Sequence, residues 1–276
     1  MDLFALSDLH LGFAENRDAV VSLRARPNDW LILAGDLGET LEHFEFAFDV
    51  LSSRFRRLIW APGNHDLWTA RNRGGDILSG KDKYDCLVEL CRSYDVLTPE
   101  DPYEVVVIAG QAIRLIPTFT LYDYSFRPDY VAASDAIQWA VEDGIFCSDE
   151  RMLSCHPYKG AQEWCDARCH ETEERLNEFE DGLPSILINH FPLRYDLVRL
   201  PRIPRFSIWC GTKRTEEWHR RYHAEVVVSG HVHVPSTDFR DGVRFEEVSL
   251  GYPRQWLGSS TIEQRLRRIA GDGESV

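Results

Sequence analysis

Five short apolar runs, each ending on residues that can ligate a cation, constrain this chain more than any other feature. Leu3 to Leu6 runs into Ser7-Asp8-Leu9-His10, and Trp30 to Ala34 into Gly35-Asp36. Leu58 to Ala61 leads to Pro62-Gly63-Asn64-His65-Asp66. Ile186 to Ile188 leads to Asn189-His190, and Val226 to Val228 leads to Gly230-His231-Val232-His233. Runs this short and apolar, closed by polar punctuation, read as buried strands. Open α/β sheets gather their ligands at the carboxyl ends of such strands. Residues 41–56 carry apolar and charged positions at helical spacing. The opening segment therefore reads β-α-β-α-β, which predicts an α/β domain.

Farther along, Val105 to Ala109 and Ala112 to Ile116 flank Gly110-Gln111 and predict a hairpin with that pair as its turn. Val243 to Val248, after the turn Asp241-Gly242, predicts another strand. Residues 260–269 predict a short charged helix, and Gly271 to Val276 a frayed end. The stretch from about 118 to 183 breaks the strand rhythm with Phe119, Tyr122, Tyr124, Phe126 and Tyr130. A helix is expected there over about 161–181. Residues 1–270 read as a single domain, with 118–183 as a cap or insertion packed on it.

Hard divalent ions take carboxylate oxygen, and borderline ions also accept imidazole. Asp8 and His10 stand two apart, so in an extended segment they face one side. His231 and His233 have the same relation. Asp36 offers a charge that two cations can share, and Asn64 a neutral amide oxygen. Two ions about 3.5 Å apart suit in-line displacement at phosphorus. Gly35, Gly63 and Gly230 leave room for close backbone approach beside such a site. A lone buried Asp or His is ordinarily a hydrogen-bonded structural residue, but five strand ends bearing complementary ligands in order are not explained that way.

In sequence order the blocks are DxH, GD, GNHD, H and GHxH, spanning Asp8 to His233. In this the chain resembles the calcineurin-like metallophosphoesterase family. The resemblance implies an α/β fold, a four-layer αββα sandwich with two central mixed sheets. It implies Asp8, His10, Asp36 and His233 around one ion and Asp36, Asn64, His190 and His231 around a second, with Asp36 bridging. The implied cofactors are two divalent metal ions, manganese or iron with manganese first, and zinc, nickel or cobalt as alternatives. The expected reaction is attack on phosphorus by a hydroxide held on the metals, with a proton delivered to the leaving oxygen. His65, beside Asn64 but outside the ligand set, is the expected acid, and Asp66 its orienting partner.

The substrate is less constrained. The formal net charge of -14 disfavours a stable nucleic-acid partner. Residues 194–221 are nevertheless basic, and Arg194, Arg199, Arg202 and Arg205 are the expected binders of substrate phosphate or carboxylate. The leading expectation is a phosphomonoesterase acting on a small phosphorylated metabolite, whose dianion suits two metals and arginines. A phosphodiesterase acting on a cyclic nucleotide, a nucleotide-linked substrate or a nucleic-acid end stands second. A non-enzymatic metal-binding scaffold stands third. No run of eighteen apolar residues occurs, so no membrane span is expected. The opening strand lacks the features of a secretory signal, and the odd count of 7 cysteines fits reduced thiols in the cytoplasm. Cys155, His156, Cys165 and Cys169 read as cap packing in preference to a structural zinc site.

Overall fold

The computed structural model describes residues 1–179 and 181–271. The strands are β1 Leu3–Leu6, β2 Arg26–Leu33, β3 Phe55–Trp60, β4 Ala70–Arg71, β5 Ile77–Leu78, β6 Val105–Ile108, β7 Gln111–Pro117, β8 Ser185–Ile188, β9 Ala224–Ser229, β10 Ser236–Arg240, β11 Val243–Glu247 and β12 Arg267–Ala270. The helices are α1 Ala14–Ser22, α2 Leu41–Ser52, α3 Asn64–Leu67, α4 Gly80–Ser93, α5 Ala136–Val141, α6 Asp149–Met152, α7 Ala161–Asn177, α8 Trp218–Arg221, α9 Pro253–Trp256 and α10 Ile262–Arg265.

Two mixed sheets form the centre. One is four-stranded in the order β12-β1-β2-β3, the other six-stranded in the order β10-β11-β9-β8-β7-β6. β1, β2 and β3 run parallel, as do β7, β8, β9 and β11, while β12, β10 and β6 are antiparallel edges. Successive strand residues point to opposite faces, and both faces of these strands are apolar. Leu3, Ala5, Ile32, Ala34, Ile59, Ala61, Ile186, Ile188, Val226 and Val228 form one buried cluster made of strand residues from both sheets. Leu31, Leu33, Leu58, Trp60, Leu187 and Val227 belong instead to a second cluster with the helices. α2 packs on β3 and α8 on β9, so each sheet carries helix on its outer side. This is the expected α/β sandwich. Each buried aliphatic side chain at these positions contributes about 1.5–3 kcal/mol. Trimming Ile186 or Val226 would leave a void between two close-packed sheets.

Several local expectations shift. The hairpin turns at Ala109-Gly110, one residue earlier than expected, with φ of 51° and 83°. Positive φ at both central residues is the requirement of the tight turn that matches strand twist. The charged segment 260–269 is one helical turn, α10, followed by β12. Pairing of Leu3 with Ala270 covers the open edge of β1, and that tertiary demand overrides helix propensity. α7 ends at Asn177 rather than near 181. The expected frayed end lies, beyond Gly271, outside the described residues. The cap cysteines Cys165 and Cys169 are buried, and no cation-ligating cluster includes them among the described residues.

Candidate metal centre

All five ligand-bearing segments leave the carboxyl ends of parallel strands. Loop hydrogen bonds draw the two sheets together at that edge. Ser7 N–H donates to Val248 O at 3.1 Å and Leu250 N–H to Ser7 O at 2.9 Å. The extended geometry expected for Asp8-His10 and His231-His233 is not what brings their side chains inward. Asp8, His10, Asp36, His231 and His233 have φ of 54°, 42°, 55°, 71° and 54°, in the left-handed region. Non-glycine residues there cost about 1–3 kcal/mol each and cluster at functional sites. The strand ends curl sharply, because a straight continuation would carry each side chain past the edge instead of over it. Two glycines are required by close approach. A Cβ on Gly63 would lie 2.1 Å from Asp36 Oδ1, and one on Gly230 2.4 Å from Asp8 Oδ2.

The donor atoms converge in two groups. In the first, His233 Nε2 is 2.9 Å from Asp8 Oδ1 and 3.2 Å from His10 Nε2, and His10 Nε2 is 3.9 Å from Asp8 Oδ1. In the second, Asn64 Oδ1 is 3.2 Å from His190 Nε2 and 3.1 Å from His231 Nδ1, and His190 Nε2 is 3.5 Å from Asp36 Oδ2. Ligand atoms of Asp8, Asp36 and His190 also lie within 4.8 Å of one another, so the groups are contiguous.

The surrounding bonds test whether cations fit. His190 Nδ1 faces Ala34 O at 2.8 Å, which places its proton on Nδ1 and a lone pair on Nε2. Asn64 Nδ2 donates to Asp149 Oδ1 at 2.9 Å, which turns Asn64 Oδ1 inward. Asp36 Oδ2, Asn64 Oδ1 and His190 Nε2 are then three acceptors facing one another. His233 Nδ1 meets Gln255 Oε1 at 2.9 Å, which likewise leaves Nε2 as an acceptor toward Asp8. Acceptors gathered at such distances repel unless a proton or cation sits among them, and the oxygen and imidazole donors suit divalent ions. Without a cation the charge pattern is displaced. Burial works against a charged His190, but Asp36 and Asp8 carry it up to about 10. Burial takes His10 down to about 4 and, with His190 nearby, His231 down to about 3. A bound ion would replace the proton on His190.

His65 lies beside this cluster. Its ring stacks on Trp68 with centroids 3.6 Å apart and meets His10 edge-on at 4.7 Å. Its Nδ1 faces Glu39 Oε1 at 3.2 Å. Burial opposes a charge on His65, yet Asp36 and Glu39 raise its pKa. The expected pairing of His65 with Asp66 is corrected by this geometry. Asp66 accepts from the backbone N–H groups of Asp36, Leu37, Gly38 and Gly63 and from Trp60 Nε1, at 2.8–3.3 Å. Its carboxyl ties the GD loop to the GNHD loop and faces away from His65. Burial and the neighbouring Asp36 charge lift it to about 7, while the Gly63 and Gly38 N–H groups and His190 pull the other way. Sequence reasoning gave no role to Glu39, Asp149 or Gln255, although Glu39 stands three residues after Asp36 and Gln255 lies in the block from Gly251 to Trp256.

A cavity of about 600 Å³ opens over the cluster, lined by Asp36, Asn64, His65, His231 and His233 at its floor. Arg199 and Arg202 line it, joined by Arg254, which sequence reasoning did not single out. Arg194 and Arg205 do not line it, and their expected role in holding substrate is corrected. Arg194 reaches Asp196 at 2.9 Å and Asp241 at 3.6 Å. Arg205 lies over the Trp139 ring at 4.9 Å, within reach of Glu142 and Asp143. In an acidic chain, local carboxylates compete successfully for these cations.

A family model described as calcineurin-like phosphoesterase matches residues 1–235. The acyl-carrier-protein phosphodiesterase PptH of Mycobacterium tuberculosis is 43% identical over 256 residues, covering 92% of this chain and 79% of that protein. The crystal structure of phosphopantetheinyl hydrolase (PptH) from Mycobacterium tuberculosis aligns with a TM-score of 0.93 and 40% identity, over 100% of this chain and 98% of that one. These relatives overturn two expectations. A phosphomonoesterase for a free metabolite is replaced by the diesterase reading that stood second. A small phosphorylated substrate, expected with protein partners left open, gives way to a reading that includes a protein. The dianion argument fails because a floor able to hold two cations would suit a diester equally, and Arg194 and Arg205, counted toward a dianion, do not line the cavity. No helix among the described residues is long and apolar enough to cross a membrane.

Proposed function

The chain belongs to the calcineurin-like phosphoesterase family, and we propose that it is a metal-dependent phosphodiesterase that removes a phosphopantetheine arm from a carrier protein. The observation that carries this reading is the near full-length likeness, at 40% identity and a TM-score of 0.93, to phosphopantetheinyl hydrolase. The cavity supports it, since about 600 Å³ accommodates an extended arm above the donor cluster. Residues 1–270 act as one domain, and the 118–183 cap contributes to the site through Asp149. The seven free cysteines support a cytoplasmic setting.

Asp8, His10, Asp36 and His233 would hold one ion and Asp36, Asn64, His190 and His231 the other, manganese or iron with manganese being the first choice. When bound, the ions supply charge neutralisation for the phosphodiester and a lowered pKa for the attacking water. Asp149 fixes the Asn64 amide, Ala34 O fixes the His190 tautomer and Gln255 fixes that of His233. His65, whose pKa Asp36 and Glu39 raise against burial, donates its proton to the oxygen that leaves phosphorus as the P–O bond to the carrier hydroxyl breaks. Trp68 holds the His65 ring in place by stacking. The test is hydrolysis of bis-para-nitrophenyl phosphate beside para-nitrophenyl phosphate by the manganese-loaded protein. Faster turnover of the diester is expected, and a clear preference for the monoester contradicts the reading.

A further inference from the structure

We propose that the mouth of the metal cavity is a docking surface for a carrier protein whose arm-bearing residue is flanked by an acidic, partly apolar surface. This rests on the carrier-protein reading above and names what would recognise the carrier itself. The chain is strongly acidic, at -14. The cavity lining inverts that balance. Its acids are Asp36 and Asp149, each only 2% exposed and engaged at the floor. Its arginines, Arg199, Arg202 and Arg254, are all exposed. Arg199 is paired to Asp238 at 2.6 Å, and Arg254 lies over the Tyr252 ring at 5.6 Å. Among the described residues Arg202 makes no ion pair, and its exposed charge faces solvent.

The same lining carries large apolar side chains turned to solvent. Phe146 is 70% exposed, Val234 45% and Ile203 41%. They come from separate segments: Phe146 from the cap, Ile203 beside Arg202, and Val234 just past His233. Arg254 comes from α9. Segments distant in sequence thus each bring a cation or an exposed apolar group to one opening. A small substrate bound at the floor would not require this, whereas a protein docked over the opening would cover the apolar groups and meet the cations. Charge complementarity selects the partner: an acidic protein is repelled by most of this surface and attracted at the mouth, so the field orients its approach.

The experiment uses the manganese-loaded full chain with holo-carrier protein and with bis-para-nitrophenyl phosphate, and reads the ratio of the two kcat/KM values. Arg202→Glu combined with Arg254→Glu should lower that ratio at least about tenfold and flatten its dependence on salt. Arg220→Glu, at an exposed cation outside the cavity, should leave the ratio at the wild-type value. Phe146→Ser should lower the ratio by itself, which separates apolar contact from charge. An unchanged ratio in the double variant overturns the docking surface. Wild-type protein that cleaves the small diester but never the holo-carrier removes the carrier reading, and the docking surface with it.

Discussion

The floor of the cavity and its mouth are built from polar residues of similar chemical strength, yet they obey different rules. At the floor, ligand-type residues sit at the ends of parallel strands, and the left-handed backbone of Asp8, His10, Asp36, His231 and His233 aims them at one point. Three of the ligand-type side chains there are also fixed by a second bond: Ala34 O on His190, Asp149 on Asn64, Gln255 on His233. At the mouth, the basic stretch 194–221 has no such scaffold. Of its four expected substrate binders, Arg194 and Arg205 are held by local acids and Trp139, while Arg199 and Arg202 reach the cavity. Position on a rigid strand end carries chemistry reliably, whereas charge in a loop goes to whichever partner folds nearest.

The contrast can be broken by substitution. Asp36→Asn should abolish turnover and release metal, because that carboxylate lies against both donor groups. Metal content measured beside activity checks this, as does chelation of the wild-type protein, which should remove activity and lower its melting temperature. His65→Ala should retain metal while lowering kcat on a poor leaving group by about 10²–10⁴. The loss should be smaller on bis-para-nitrophenyl phosphate, whose leaving group needs no proton. Glu39→Gln and Asp149→Asn act through His65 and Asn64 and should each cost about 10–100-fold. The first should appear in the pH profile of kcat, the second in metal affinity. At the small end, Arg205→Ala should leave turnover intact and cost about 0.5–1 kcal/mol of stability through the lost contact with Trp139, read by denaturant unfolding. If Arg205→Ala instead impaired turnover, the division between floor and mouth would be misplaced.

Much of the floor was legible because its chemistry follows strand ends, and strand ends are marked by apolar runs of characteristic length. The same runs marked an α/β domain with buried strands, while its division into two sheets came from the family resemblance. β12 was not, because Arg267 and Arg268 disguise it, and its conformation is set by the exposed edge of β1. Asp66 was misread as a partner of His65 because adjacency in sequence suggests contact. The short helix α3 instead turns it toward the GD loop, where backbone N–H groups occupy it. Asp149 comes from a distant segment with no local pattern, and the block from Gly251 to Trp256 that holds Gln255 gives no sign of which side chain it orients. The substrate was the least legible, since two cations neutralise a monoester or a diester alike and the choice falls to the walls above them.

The most direct test is the intact mass of a holo-carrier protein incubated with the manganese-loaded chain. The account predicts a shift to the apo-carrier mass with release of the phosphorylated arm, and no shift with Asp36→Asn. A carrier mass that stays unchanged while a simple phosphomonoester is hydrolysed would contradict it.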